Sequence, residues 1–479
     1  MSDTAIPTNV LDQLRSIVGV AGYLESTADI APFLTDHRKL FRGNTPLVLR
    51  PASTDEVSRI LKVCNHNKVG VVPVGGNTGY CGAAVPAPDG SQIVLSLARL
   101  RQVRQIDPLN NTLTVEAGCV LADVQKTAAN ANRLFPLSLG SEGSCQIGGN
   151  LSTNAGGTAV LRYGMTRDLI LGLEVVLADG RVLNDLNGLR KNNTGYELRN
   201  LFMGAEGTLG VITAVTLKLF PLPRTHATAL VALPDPQAAV DLLSVMRTAS
   251  SDALTTFELM PRNAMDLVFK HIAGTSDPFD HVSPWYVLLE ATSAQMDSML
   301  EEHIAATLSQ AQERGLILDA VLATSEAQRD MLWRIRETIP AAQRLDGGSI
   351  KHDISVSISD IPTFIIQGQA ICERIAPEGC IIVYGHLGDG SLHFNINTPS
   401  NAIESVRVAF LSKAGALHRA MHDLTAQFHG SISAEHGIGQ LKVADLERYK
   451  DPVALQLMHE IKRTLDPNGI MNPGKVIKT

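Results

Sequence analysis

The chain has 479 residues, 44% of them hydrophobic and 19% charged, with a net charge of −7. This length exceeds one ordinary core and implies two or three domains. The acidic balance, without a basic stripe, argues against nucleic acid as the main partner, and no apolar run reaches the ~18–20 residues of a membrane span.

Residues 1–7 lack a basic region followed by an apolar run, so they read as neither a signal nor a transit peptide. The six cysteines (Cys64, Cys81, Cys119, Cys145, Cys372 and Cys380) form no CxxC and read as reduced thiols of a cytoplasmic protein. A helix is expected near 10–18 and a short strand at 47–51. Behind a Ser53-Thr54 cap, apolar residues at helical spacing predict a helix over 54–67. A strand at 70–74 runs into Gly75-Gly-Asn-Thr-Gly79, and short strands with glycine-rich turns continue to about 222. Pro221, Pro223 and Arg224 mark a boundary. Beyond it the pattern predicts strands at 225–233, 254–259, 285–291 and 320–323, with helices at 235–248, 262–271 and 294–314. This repeated strand–helix–strand order suggests a ferredoxin-like α+β domain. One helix over 402–428 follows, and a tail at 464–475 is expected to return to the first domain. The resulting division is 1–222, 223–425 and 426–479.

The run Tyr384-Gly-His-Leu-Gly-Asp-Gly-Ser-Leu-His-Phe-Asn-Ile-Asn397 centres on Asp389-Gly390, a preferred pair for a two-residue hairpin. Counted outward from that pair, His386 faces His393, and opposed side chains share one face of the ladder. Two imidazoles so placed can bind one metal ion. Ser433-Ala-Glu-His-Gly-Ile-Gly439 offers a carboxylate, Glu435, and a spare third imidazole, His436, beside it, which describes a catalytic metal site with a position open for substrate. Adjacent residues on a strand point to opposite faces, so using both requires a bent loop, for which Gly437 and Gly439 are suited. The competing reading is a set of hydrogen-bonded core histidines.

Three glycine-rich segments lie in the first half: 73–79, 139–157 and 204–213. None is a GxGxxG between strand and helix, and there is no Walker A sequence. Buried loops of this length need something to satisfy their backbone groups, and a pyrophosphate-bearing cofactor would do so.

Gly75-Gly-Asn-Thr-Gly79, Gly143-Ser-Cys-Gln-Ile-Gly-Gly-Asn150, Thr153-Asn-Ala-Gly-Gly157, Glu206-Gly-Thr-Leu-Gly-Val-Ile-Thr213, the His386/His393 hairpin, Glu435-His-Gly and Asn472-Pro-Gly-Lys occur in this order. With them, residues 40–479 resemble the FAD-linked oxidases of the vanillyl-alcohol oxidase type. Within that family the chain looks most like D-2-hydroxyglutarate dehydrogenase and the related D-lactate and glycolate dehydrogenases. The resemblance implies an α+β chain: a two-part FAD-binding domain, an inserted ferredoxin-like cap and a C-terminal helical segment.

It also implies site roles. Val74, Gly75, Gly76, Asn77, Thr78 and Gly79 would hold the pyrophosphate. Leu139, Gly140, Ser141, Ser144, Gly148, Gly149, Asn150, Thr153, Asn154, Ala155 and Gly156 would line the ribityl chain and isoalloxazine. Glu206, Gly207, Gly210, Val211 and Ile212 would lie near the adenine, with Asn472 returning to the flavin. FAD is expected to be non-covalent, since His37 and His66 lie outside these loops and Cys81 and Cys145 read as small buried thiols.

Zn²⁺ on His386, His393 and Glu435 would bind a D-2-hydroxy acid, with His436 as general base. Arg336 and Lys351 would grip the carboxylate farther from the hydroxyl, and Asn395 would add a hydrogen bond. The hydroxyglutarate enzymes carry a hydroxyl residue where this chain has Pro340, with Thr338 nearby. D-malate, D-lactate and glycolate therefore stay open as substrates. A metallohydrolase and a non-catalytic flavoprotein are the readings from other classes. The expected electron acceptor is a soluble electron-transfer flavoprotein, with cytochrome or quinone next, and a homodimer is the default assembly.

Overall fold

The computed structural model describes residues 5–296, 299–400 and 402–478. The chain divides into two compact units. The first comprises Met1–Gly157, Gly164–Leu222 and Glu435–Thr479, and the second Thr158–Tyr163 and Pro223–Ala434.

In the first unit, β1 (Tyr23–Leu24), β2 (Val48–Leu49), β3 (Gly70–Val74) and β4 (Gln92–Ser96) form a sheet of order β1-β2-β4-β3. β2 and β3 both run parallel to β4. Between β2 and β3 the chain crosses over through the helix Thr54–Asn67, as parallel strands require. The Ser53 hydroxyl accepts the Glu56 N–H at 3.2 Å, and Glu56 reaches back to the Ala52 N–H at 2.8 Å, which fixes the start of the helix. Val57, Ile60, Leu61 and Cys64 form its buried stripe. A second sheet contains β5 (Val103–Asp107) and β6 (Thr112–Glu116). After the short β7 (Arg133–Leu134), it gains β8 (Ile170–Val176), β9 (Val182–Asp185) and β10 (Val211–Lys218). Its order is β5-β6-β10-β8-β9, antiparallel throughout. β11 (Phe220–Pro221) pairs with β7 and closes the segment.

The second unit is built on β12 (Thr225–Leu233), β13 (Leu254–Pro261), β14 (Trp285–Ser293) and β15 (Asp319–Leu322). Their order, β15-β12-β14-β13, is that of a ferredoxin-like sheet. The sheet continues through β16 (Ser349–Ile350), β17 (Asp353–Ser355), β18 (Cys380–His386) and β19 (Ser391–Asn397), with β18 beside β13 and both β16 and β17 on β19. Both faces are covered. Ala229 and Val231 pack with Leu242, Met246, Ile304 and Phe364 on one side. Leu230 and Ala232 pack with Met265, Val268, Leu332 and Ile335 on the other. This explains why β13 is buried along its whole length instead of in alternation.

Three expectations need correction. The helix expected over 294–314 runs from Leu300 to Glu313, and its positions 297–298 lie outside the described residues. The single helix expected over 402–428 is two, Glu404–Leu411 and Ala414–Gln427. At the break the Ser412 hydroxyl donates to the Ala409 carbonyl at 2.7 Å, a side-chain bond that competes with the helical ladder.

The third correction is the hairpin register. Tyr384, not His386, is the ladder partner of His393. Residues Leu387–Asp389 form a 3-10 turn that closes on Gly390 at φ +86°, so the connection is longer than a two-residue turn. The displacement is by two positions, and side chains alternate with period two, so His386 keeps the face expected for it. No helix among the described residues is long and apolar enough to cross a membrane.

Candidate active site

In the first unit, the loop after β3 forms one wall of an open cleft whose atom-free space is about 950 Å³. Val74, Gly75, Gly76, Asn77, Thr78, Gly79, Gly148, Gly149, Asn150, Thr153, Glu206, Gly207, Gly210, Val211 and Ile212 line it. The close approach of loops requires Gly76: a Cβ there would stand 2.2 Å from the Ser144 carbonyl oxygen. Leu139, Gly140, Ser141, Ser144, Asn154, Ala155, Gly156 and Asn472 do not line the cleft. Asn472 buttresses it instead, donating to the carbonyls of Glu206 at 2.7 Å and Ala83 at 3.1 Å. Gly156 leaves room for the Glu435 carboxylate, whose Oε1 accepts the Gly157 N–H at 3.2 Å.

The cleft suits a nucleotide cofactor on its own polar inventory. The N–H groups of Gly75, Gly76, Asn77, Thr78 and Gly79 donate to no protein acceptor among the described residues. Among the described residues, the buried oxygens Gln146 Oε1 and Asn150 Oδ1 meet no hydrogen-bond partner. Consecutive backbone donors favour an anion such as pyrophosphate, and buried acceptors favour N–H groups of a ring.

His436 lines the same cleft. Its ring centroid is 4.6 Å from that of Tyr80, which in turn meets His37 edge-on at 5.7 Å. The loop that carries His436 is bent as expected, with Gly437 at φ +77° and Gly439 at φ +52°. The Cys81 thiol donates to the Gly437 carbonyl at 3.3 Å, and the Cys81 carbonyl accepts the Gln440 N–H at 2.8 Å. Burial raises the Cys145 thiol above its ordinary range.

In the second unit, the rings of His386 and His393 are 5.6 Å apart at 75°. His386 Nδ1 meets Glu258 Oε1 at 2.6 Å, and Glu258 Oε2 accepts from Arg336 Nε at 2.8 Å and Nη2 at 2.7 Å. Fixing Nδ1 in this way leaves Nε2 as the nitrogen of His386 that could ligate a metal ion. Glu258 is fully buried. Burial pushes its carboxyl up, but the charges of Arg336 and His386 and their hydrogen bonds prevail and hold it at about 2. Arg336 also lies over the Tyr384 ring, 5.0 Å from its centroid. Asn395 is buried and donates to Gln343 Oε1 at 3.0 Å. Lys351 sits between β16 and β17. Pro340 opens the helix Ile339–Leu345, and the Thr338 hydroxyl is spent on the Arg334 carbonyl at 2.7 Å.

Sequence reasoning missed Glu258, Tyr80 and Gln146. Glu258 had a signal, because an acidic residue inside the apolar run Phe257-Glu-Leu-Met260 needs a cationic partner. Tyr80 follows the first glycine loop directly, and nothing local marks its contact with His436.

Two families match the chain: one described as an FAD binding domain over residues 45–185, and one described as the C-terminal domain of FAD linked oxidases over residues 222–476. The mitochondrial D-2-hydroxyglutarate dehydrogenase of Bos taurus is 41% identical over 452 residues, covering 94% of this chain and 80% of that protein. The D-2-hydroxyglutarate–pyruvate transhydrogenase of Saccharomyces cerevisiae is 37% identical over 479 residues, covering 98% and 94%. Among solved structures, p-cresol methylhydroxylase superposes with a TM-score of 0.76 at 16% identity over 98% of this chain and 97% of its own. The 4-ethylphenol oxidase of Gulosibacter chungangensis gives 0.72 at 17% over 99% and 98%. These structural likenesses are of fold alone. The bovine relative's name places that protein in mitochondria, and this does not fit a simple cytoplasmic reading of the cysteines.

Proposed function

Because the chain belongs to the FAD-linked oxidases and has the two-domain fold of their vanillyl-alcohol oxidase type, we propose that it is an FAD- and metal-dependent dehydrogenase. Its substrate is a D-2-hydroxy acid, with D-2-hydroxyglutarate the leading candidate, and its product the 2-oxo acid. The observation that carries this reading is the presence of His436 in the glycine-walled cleft of an FAD-binding unit.

FAD, when bound, supplies the hydride acceptor. The residues of the chain do the rest. Gly75–Gly79 would offer their N–H groups to the pyrophosphate, and Gln146 and Asn150 would offer acceptors to the rings. Spending the Cys81 thiol on Gly437 and keeping the Cys145 thiol protonated both favour non-covalent attachment. The ligands proposed for Zn²⁺ are His386, His393 and Glu435. Ala434, at the end of the second unit, donates its N–H to the Asp353 carbonyl at 3.3 Å, and Asp353 is a ladder partner of His393. The backbone just before Glu435 is thus anchored beside one of the histidines. A metal ion there would acidify the substrate hydroxyl. His436 takes the hydroxyl proton as the Cα–H bond breaks. Lys351 and Arg336 hold the distal carboxylate, and Asn395 steadies the substrate.

A second reading, in which the substrate is D-lactate, D-malate or glycolate, is favoured by Pro340 and by the pairing of Arg336 with Glu258, which shares its charge before any substrate arrives. A soluble electron-transfer flavoprotein is the proposed acceptor. The deciding experiment is anaerobic flavin reduction by a panel of D-2-hydroxy acids, before and after chelation, in wild type and His436→Ala. Bleaching by one acid is expected. It should be lost on chelation and in the variant, with flavin content unchanged. A colourless protein that hydrolyses esters or amides would instead establish a metallohydrolase, and full reduction after chelation would remove the metal from the mechanism.

A further inference from the structure

Glu206 joins the wall of the cofactor cleft to the loop bearing the base. Its main chain is built into the wall: the N–H donates to the Ser152 carbonyl at 2.8 Å, and the carbonyl accepts from Asn472 Nδ2 at 2.7 Å. Its side chain ends at the loop just past His436. Oε1 accepts the Ile438 N–H at 2.7 Å, and Oε2 accepts the Gly439 N–H at 2.9 Å. The fit leaves no space for a side chain at Gly437, where a Cβ would lie 2.7 Å from Glu206 Oε1. On its other side the loop is held by Cys81, through the Gly437 carbonyl and the Gln440 N–H. Every one of these residues belongs to the first unit.

We propose that Glu206 is the positioning residue for His436, holding the base-bearing loop against the turn that lines the cofactor cleft. The proposal rests on the reading of His436 as general base. A carboxylate with one oxygen for each N–H fixes both the height and the tilt of a two-residue segment, which a single acceptor cannot do. Protonation would turn one of those oxygens into a hydroxyl and weaken one of the two bonds. Burial raises Glu206 to about 7, opposed by the two N–H bonds and by the positive charge of Lys442 on the same loop. The ionised, positioning form therefore prevails above neutrality and is lost as the pH falls.

The test uses the FAD-loaded holoprotein and follows anaerobic flavin reduction by its best D-2-hydroxy acid from about pH 5.5 to about pH 9. For Glu206→Gln, which keeps the shape but supplies one acceptor, we expect the limiting rate to fall about tenfold or more with KM little changed. Bound FAD is measured alongside, so that a loss of rate is separated from a loss of flavin. The fall in rate that wild type shows as Glu206 gains its proton should be smaller in this variant. Glu206→Asp keeps the charge on a shorter arm and should recover the wild-type pH dependence at a reduced rate; if the glutamine variant does not retain flavin, this profile decides. A Glu206→Gln enzyme with wild-type rate and acid limb overturns the proposal, as does a loss of rate that merely follows loss of flavin. If His436→Ala still reduces flavin, the base assignment itself is wrong. An inactive His436→Ala beside an indifferent Glu206→Gln removes only the positioning role.

Discussion

Glu258 is a fully buried carboxylate within an apolar strand, stabilised by a guanidinium on one oxygen and an imidazole on the other. Its position on β13 makes it the ladder partner of His386, so one residue both neutralises Arg336 and orients a proposed metal ligand. Removing a single member of such a cluster leaves a buried charge without compensation, whereas replacing the whole cluster with apolar groups need not be costly. Glu258→Ala is therefore expected to lose about 3–5 kcal/mol of stability. Urea unfolding of the holoprotein measures this, and a midpoint equal to wild type would show that Arg336 finds other compensation.

The β18–β19 hairpin has its own logic as an element. Gly385, at φ +155°, has its Cβ position 2.5 Å from the Ser391 carbonyl oxygen, and Gly390, at φ +86°, has its Cβ position 2.3 Å from the Val356 carbonyl oxygen. Asp389 Oδ1 accepts the Ser391 N–H at 3.0 Å and completes the turn. The turn is therefore tied to Val356, just past β17, as well as to its own strands. Gly390→Ala must adopt the left-handed region and displace a carbonyl, so a loss of at least about 1–2 kcal/mol is expected, read as a lower thermal midpoint. Flavin reduction in this variant should fall with it, because the same turn spaces His386 from His393. A variant with unchanged midpoint and activity would show that the turn can reform in another shape.

For the whole molecule, FAD is expected to act as a structural component as well as a reagent. The loops at 74–79, 146–153 and 206–212 come from different parts of the first unit, and unpartnered polar atoms remain along the cleft they line. A ligand that binds only the folded form stabilises it by mass action. FAD at about a hundredfold over its Kd should add about 2.7 kcal/mol, seen as a rise in the calorimetric midpoint of flavin-stripped protein. An unchanged midpoint would mean that the cleft does not hold FAD.

How much of this was legible depended on whether the information is local. The cap and apolar stripe of the helix at 54–67, the glycine loops that wall the cleft, and the ferredoxin-like order of strands and helices follow from backbone propensity, side-chain period and steric freedom, all written along a few consecutive residues. So does the range of chemistry open to His386, His393, Glu435 and His436, since residue type alone limits what could bind a metal or accept a proton. Tertiary structure decided which partners these groups meet. Glu258 and His386 are 128 positions apart, and Glu206 and Ile438 are 232 apart. No local pattern encodes such pairs, because they arise from the packing of whole sheets and loops against one another. The hairpin register was decided in the same way: the backbone angles around Asp389-Gly390 are set by contacts with Val356, so the sequence determined which face the histidines share while the fold determined how far apart along it they stand.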